Sequence, residues 1–97
     1  MNLYIDTIEF GKVSFALEDG EKKISKAFKV LPQESDKILV FLGQIFKQAK
    51  IRNPKVEIKK IVIYKGQGSF TGLRVGVAIA QALSMAWGVP VKVANKK

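Results

Sequence analysis

Between Ile61 and Pro90 the chain leaves itself few architectures. An apolar strand, Ile61-Val-Ile-Tyr64, runs into the turn Gly66-Gln-Gly-Ser-Phe-Thr-Gly72, and an almost uncharged segment continues to Trp87. Glycine at Gly66, Gly68 and Gly72 permits positive φ and close backbone approach, so the strand bends directly into a helix. That helix carries Leu73, Val75, Val77, Ile79, Leu83, Met85 and Trp87, with Arg74 as its one charge. A helix apolar nearly all round is buried on more than one side. Gly88-Val-Pro90 closes it with a glycine C-cap and a proline stop, and Val91 to Ala94 starts a short strand. Strands joined in this way pair parallel through a right-handed crossover.

Upstream the periodicity changes. Leu3-Tyr-Ile5 is apolar and stops at Asp6-Thr7; Val13-Ser-Phe-Ala-Leu17 alternates with the two-residue period of a half-buried strand. Asp19-Gly20 predicts a hairpin turn, and Ile24 to Val30 a third strand with lysines on one face. Gln33-Glu-Ser-Asp36 after Pro32 supplies acceptors and negative charge for a helix start. In that helix Ile38, Phe41, Leu42, Ile45 and Ala49 form one apolar stripe and Leu39, Gly43 and Phe46 a second beside it. One stripe docks a helix on a sheet, and a second asks for another partner. Arg52-Asn-Pro54 is expected to break the helix, and Glu57 to Tyr64 to form a buried strand with a charged entry. The expected order is βββαβαβ, a mixed five-stranded α/β sheet. Gly72, Gly76 and Ala80, spaced by four, would form a smooth ridge for close helix approach.

Composition narrows the chemistry. At 97 residues this is one domain. It contains neither cysteine nor histidine, which removes the thiolate nucleophile, the commonest general base and the usual zinc ligands. No segment reads as a signal peptide or a membrane span, and the expected location is the cytoplasm. The net charge is +9 and unevenly placed: five of the eight acids precede Lys22, and none follows Glu57. A basic surface attracts nucleic acid or an acidic protein, although no aromatic residue is interleaved with the lysines in sequence. The glycines of residues 66–72 fall at first, third and seventh positions, off the dinucleotide-binding spacing, and the Gly-Lys-Ser/Thr of a phosphate loop is missing. The turn is either an anion site or a tight strand-to-helix connection capped by Ser69 and Thr71. Arg74 could meet a partner carboxylate or RNA phosphate, or anchor carbonyls of its own chain.

The run Gly66-Gln-Gly-Ser-Phe-Thr-Gly-Leu-Arg-Val-Gly76, with Ile5-Asp-Thr7 and Gly88-Val-Pro-Val91, resembles the N-terminal lobe of the TsaB (YeaZ) family. Its pattern, Gly-x-Gly-Ser-Phe-Thr-Gly-[Leu/Val]-Arg-[Ile/Val]-Gly, is matched without a gap, so Gly66, Gly68, Ser69, Phe70, Thr71, Gly72 and Arg74 constitute the signature loop. The resemblance implies a single actin-like ATPase (ribonuclease H-like) lobe over residues 1–97, the family's second lobe being absent. It implies a catalytically inert partner of a TsaD-like subunit in tRNA N6-threonylcarbamoyladenosine formation. Such a subunit pairs with TsaD or with itself through two helices, assembles further with a TsaE-like ATPase, and reaches tRNA through the complex. The residues expected at that interface are Leu39, Gly43, Phe46, Gly72, Leu73, Gly76 and Ala80. Asp6 stands where actin-like ATPases keep a carboxylate for hydrated Mg²⁺. A lone carboxylate holds Mg²⁺ poorly, so no cofactor is expected and Asp6 is read as bonding local N–H groups. The chain departs from the family at Glu34-Ser35, where a His-Ser pair is common, and at Ile8-Glu-Phe10. Two alternatives stand beside this reading. One is a basic tRNA-binding module presenting Lys22, Lys23, Lys26, Lys29, Lys59 and Lys60. The other is a nucleotide half-site completed by dimerisation.

Overall fold

The computed structural model describes residues 1–8, 11–30, 36–65 and 70–95, with backbone only for residues 70–73. Its elements are β1 (Asn2–Asp6), β2 (Lys12–Asp19), β3 (Lys22–Lys29), α1 (Lys37–Gln48), α2 (Pro54–Glu57), β4 (Lys60–Lys65), α3 (Phe70–Trp87) and β5 (Val91–Asn95). The sheet runs β3-β2-β1-β4-β5, antiparallel across β1, β2 and β3, and parallel from β1 through β4 to β5. This is the mixed α/β sheet that the sequence predicts.

Residues paired across neighbouring strands share a sheet face, so the register sorts the side chains. Leu3 lies opposite Leu17 and Ile61, and Ile5 opposite Phe15 and Ile63. All six are buried, and they join Ile38, Leu42 and Ile45 of α1 and Ala80 of α3 in one core. Both long helices therefore lie on the same face, α1 over β2 and β3, α3 over β1, β4 and β5. Phe28 stacks on Phe41 at 4.3 Å between ring centroids, fixing α1 to the β3 edge. Phe46 meets Trp87 at 5.8 Å and ties α1 to α3.

The seating of α3 depends on one glycine. A Cβ built on Gly76 would collide with the Oγ1 of Thr7, which is 5% exposed directly after β1. The helix backbone thus lies where a side chain would otherwise stand. Ala80, one turn on, is completely buried. The helix ends as expected, with Gly88 at φ +67° and its N–H bonded to the Ser84 carbonyl at 2.8 Å.

Several local expectations are corrected. The β2–β3 hairpin turns at Gly20-Glu21, one residue later than Asp19-Gly20, because Asp19 pairs with Lys22. Gly20, at φ +63°, takes the first central position, where a two-residue hairpin of the II′ kind wants glycine. The lysines of β3, expected on one face, divide because side chains alternate along a strand: Lys22 and Lys26 share the face of Leu17 and Phe15, while Lys23 and Lys29 point the other way. Asp36 occupies the N-cap of α1 with helical φ −64° and ψ −24° and makes no side-chain cap, since that backbone turns its carboxylate from the free N–H groups. Gln33, Glu34 and Ser35 lie outside the described residues.

The helix α1 stops before Arg52-Asn-Pro54, through a Schellman motif. The Ile51 N–H donates to the Phe46 carbonyl at 2.9 Å, and the Lys50 N–H to the Lys47 carbonyl at 3.1 Å. Lys50 takes the left-handed position, φ 59°, usually given to glycine. Pro54 then opens the one-turn helix α2 rather than leading into a strand. Glu57, expected at the strand entry, closes that turn, its Oε2 accepting the N–H groups of Arg52 and Asn53 at 3.0 Å. The strand β4 begins three residues later, at Lys60.

Two substitutions test these assignments. Lys50→Gly relieves the left-handed strain and should stabilise the domain by about 1 kcal/mol, raising Tm by roughly 4–8 °C in a thermal melt. Gly76→Ala should destabilise it by about 1–3 kcal/mol through overpacking against Thr7. Much of that loss should vanish when Gly76→Ala is made in a Thr7→Ala background, so a double-mutant cycle should give a clear coupling term.

Candidate functional site

The strands β1 and β4 run parallel and adjacent, so Asp6-Thr7 and Lys65 emerge at the same edge of the sheet. The helix α3 starts from that edge and crosses back over Thr7. The Oδ1 of half-buried Asp6 accepts the Ile8 N–H at 3.1 Å, an Asx turn that ends the strand. This is the local bonding anticipated for Asp6. Among the described residues no three His, Cys, Asp or Glu side chains gather where they could hold a metal ion. No described helix is long and apolar enough to cross a membrane.

Of the signature loop, Gly66, Gly68 and Ser69 lie outside the described residues. Phe70, Thr71, Gly72 and Leu73 form the helical backbone of the first turn of α3, so the helix takes up the second half of the motif. Arg74 follows on the exposed side of the helix.

Of the residues expected at a partner interface, Gly72 and Leu73 are described by their backbone alone, and the other five separate into two groups. Leu39 is 59% exposed and Gly43 is open to solvent, on the flank of α1 that also carries Phe46, half-buried against Trp87. These three share one flank of α1, where Phe46 meets α3 and Leu39 and Gly43 remain exposed. Gly76 and Ala80 face the other way, into the chain's own sheet, so these two members of the small-residue ridge are spent on internal packing. Spacing by four identifies a helix face but not what covers it. Sequence reasoning missed Val40, 59% exposed on α1, and did not single out Met85, 87% exposed on α3. Met85 lies nine residues from Gly76, half a turn round the helix from the buried side, and that phase was the available signal. Exposed Ala78 and Ala82 share its side of α3.

The lysines proposed for RNA binding do not form one patch. The register places Lys23, Lys29 and Lys60 on the sheet face away from the helices, and Lys22 and Lys26 on the helix side. Lys26 Nζ lies 5.6 Å from the centroid of the Phe28 ring, and Lys59 precedes β4, donating its N–H to the Met1 carbonyl.

Comparison with known proteins agrees with this geometry. Residues 30–95 match the family model described as TsaD: tRNA N6-adenosine threonylcarbamoyltransferase. The tRNA threonylcarbamoyladenosine biosynthesis protein TsaB of Buchnera aphidicola subsp. Schizaphis graminum (strain Sg) is 30% identical over 80 residues, covering 82% of this chain and 33% of that protein. TsaB of Bacillus subtilis (strain 168) is 43% identical over 35 residues, covering 36% of this chain and 15% of that protein. This chain thus spans about a third of the length of the first of these relatives. YeaZ from Pseudomonas aeruginosa superposes with a TM-score of 0.82 at 23% identity, over 98% of this chain and 44% of that one. The T. thermophilus RuvC in complex with Holliday junction substrate gives 0.64 at 10% identity, over 98% and 65% of the two chains. At such identities the structural likeness speaks for the ribonuclease H-like fold alone. With that fold, the matched family model and the gapless run from Gly66 to Gly76, the chain belongs to the TsaB (YeaZ) family, within the wider group that the TsaD model describes.

Proposed function

We propose that this chain serves tRNA N6-threonylcarbamoyladenosine biosynthesis as a partner subunit, docking on a TsaD-like catalytic subunit through the outer sides of α1 and α3. The observation that carries the reading is the apolar surface those helices leave in water: Leu39 and Val40 at 59% exposure and Met85 at 87%. Covering such side chains contributes about 25 cal/mol for each Å² of apolar area removed from water. Large apolar side chains left in water on neighbouring helices of an otherwise charged small domain fit a protein contact. Exposed Gly43, Ala78 and Ala82 add little bulk, so a partner helix can approach closely.

A supporting rather than transferring role fits the residues. The chain has no histidine or cysteine, and Asp6 is engaged with the Ile8 amide. The relatives that carry the pathway's name supply its direction. A second copy of the chain presents the same helices and competes for the same surface, and a TsaE-like ATPase would join the assembled pair.

The double substitution Leu39→Glu with Met85→Glu tests this. Both positions are exposed, so Tm should change little, by the roughly 0.5 kcal/mol typical of surface changes. Co-purification with a TsaD-like subunit should be lost. Retention of that complex at unchanged stoichiometry would place the contact elsewhere, and loss of self-association alone would make the partner a second copy.

A further inference from the structure

We propose that the sheet face opposite the helices binds single-stranded nucleic acid, its bases stacking on Tyr4 and Tyr64 and its phosphates meeting a surround of lysines. This site is independent of the helical contact proposed above, since both long helices pack on the other face.

The register assembles the face from residues far apart in sequence. Tyr4 pairs with Val62, and Val62 with Lys92, giving one row across β1, β4 and β5. Val62 is only 5% exposed yet lies outside the main core, as a residue floored by the sheet and covered by its neighbours must. Beside this row Tyr64 stacks on Tyr4, with centroids 5.9 Å apart and ring planes 15° from parallel. Both rings are half-buried, so part of each ring surface remains in water. A base laid against that surface extends the stack without a sequence-specific hydrogen bond. The aromatic residues missing between the lysines in sequence are therefore brought among them by strand pairing.

Around the pair the same face carries Lys12, Lys23, Lys29, Lys60 and Lys92 against the two carboxylates Asp6 and Glu18. Lys92 lies two strands from Tyr4, roughly 10 Å. The intervening positions are small: Ser14, Ala16, Ser25, Ala27 and Ala94. They leave the rings and ammonium groups standing above a low floor that a flexible strand can follow. They also offer too little apolar area for a protein segment to recover the desolvation of five lysines. Charge complementarity selects a polyanion, and the exposed rings select one with unpaired bases. Among the described residues no helix covers this face.

Fluorescence anisotropy with a labelled single-stranded RNA of about 12 nucleotides, within the range one small sheet surface accommodates, provides the test. The triple Lys23→Glu, Lys29→Glu, Lys92→Glu should raise Kd at least tenfold. The charge-matched triple Lys22→Glu, Lys47→Glu, Lys55→Glu, on the helical side, should raise it less than threefold. Tyr4→Leu keeps the strand and should weaken single-strand binding several-fold, while leaving the weaker binding of a duplex of the same sequence unchanged. Equal losses from the two triples would reduce the effect to net charge and overturn the proposal. No loss on Tyr4→Leu in a protein of unchanged circular dichroism would remove the stacking. If the sheet-face triple spares RNA binding but abolishes capture of a TsaD-like subunit, the face is a protein surface and the proposal falls.

Discussion

The architecture depends on how closely α3 can approach β1. The helix crosses the sheet at Thr7, and only the missing Cβ of Gly76 lets the two backbones come together there. That approach sets the height at which Ala80 and the partly buried Val77 and Leu83 meet the central strands. It also brings Trp87 to the level of Phe46, and through that contact positions α1. A helix held farther off would leave Ile5 and Ile63 with unfilled space, and interiors forfeit dispersion steeply with gaps. The glycine that resembles an external ridge in sequence is in the structure the fulcrum of the core.

The core is one-sided. Every member of the main buried cluster that belongs to the central strands sits on the helix face, while the reverse face holds polar, basic, aromatic and small residues around Val62. Two layers are the minimum that bury an amphipathic sheet, and the described residues form two. A two-layer domain has two outer surfaces with unlike chemistry. Here one is the outer side of two helices with Leu39, Val40 and Met85, and the other is a lysine-bordered sheet. The β3 edge is protected by its own lysines, which disfavour pairing with another strand.

The sequence made the element order, the central strands and the end of α3 legible, because periodicity and glycine placement are local signals. It erred where the answer depended on register or on a residue acting out of type. Moving the hairpin by one residue, from Asp19-Gly20 to Gly20-Glu21, shifts every residue of β3 two places along β2 and leaves its face unchanged; what was missed is that Lys26 and Lys29, an odd number of residues apart, cannot share a face. The end of α1 was hidden because Lys50, not glycine, takes the left-handed position. Glu57 read as a strand entry because its cap to Arg52 and Asn53 reaches back against the chain direction. The Tyr4–Tyr64 pair could not be read at all: sixty residues of sequence separate two rings that strand pairing makes neighbours.

The two outer surfaces follow from different forces, and this bears on how they could work together. Apolar side chains on α1 and α3 act only at contact and are nearly indifferent to salt, whereas lysines on the sheet attract over a Debye length, about 10 Å in ordinary buffer. A polyanion is therefore drawn to the sheet before any geometry is satisfied, while a protein partner on the helices must fit before it gains anything. Because the surfaces lie on opposite sides of one thin core, occupying the first does not obstruct the second. Either partner also adds to folding stability by mass action, in proportion to the logarithm of its concentration over its Kd.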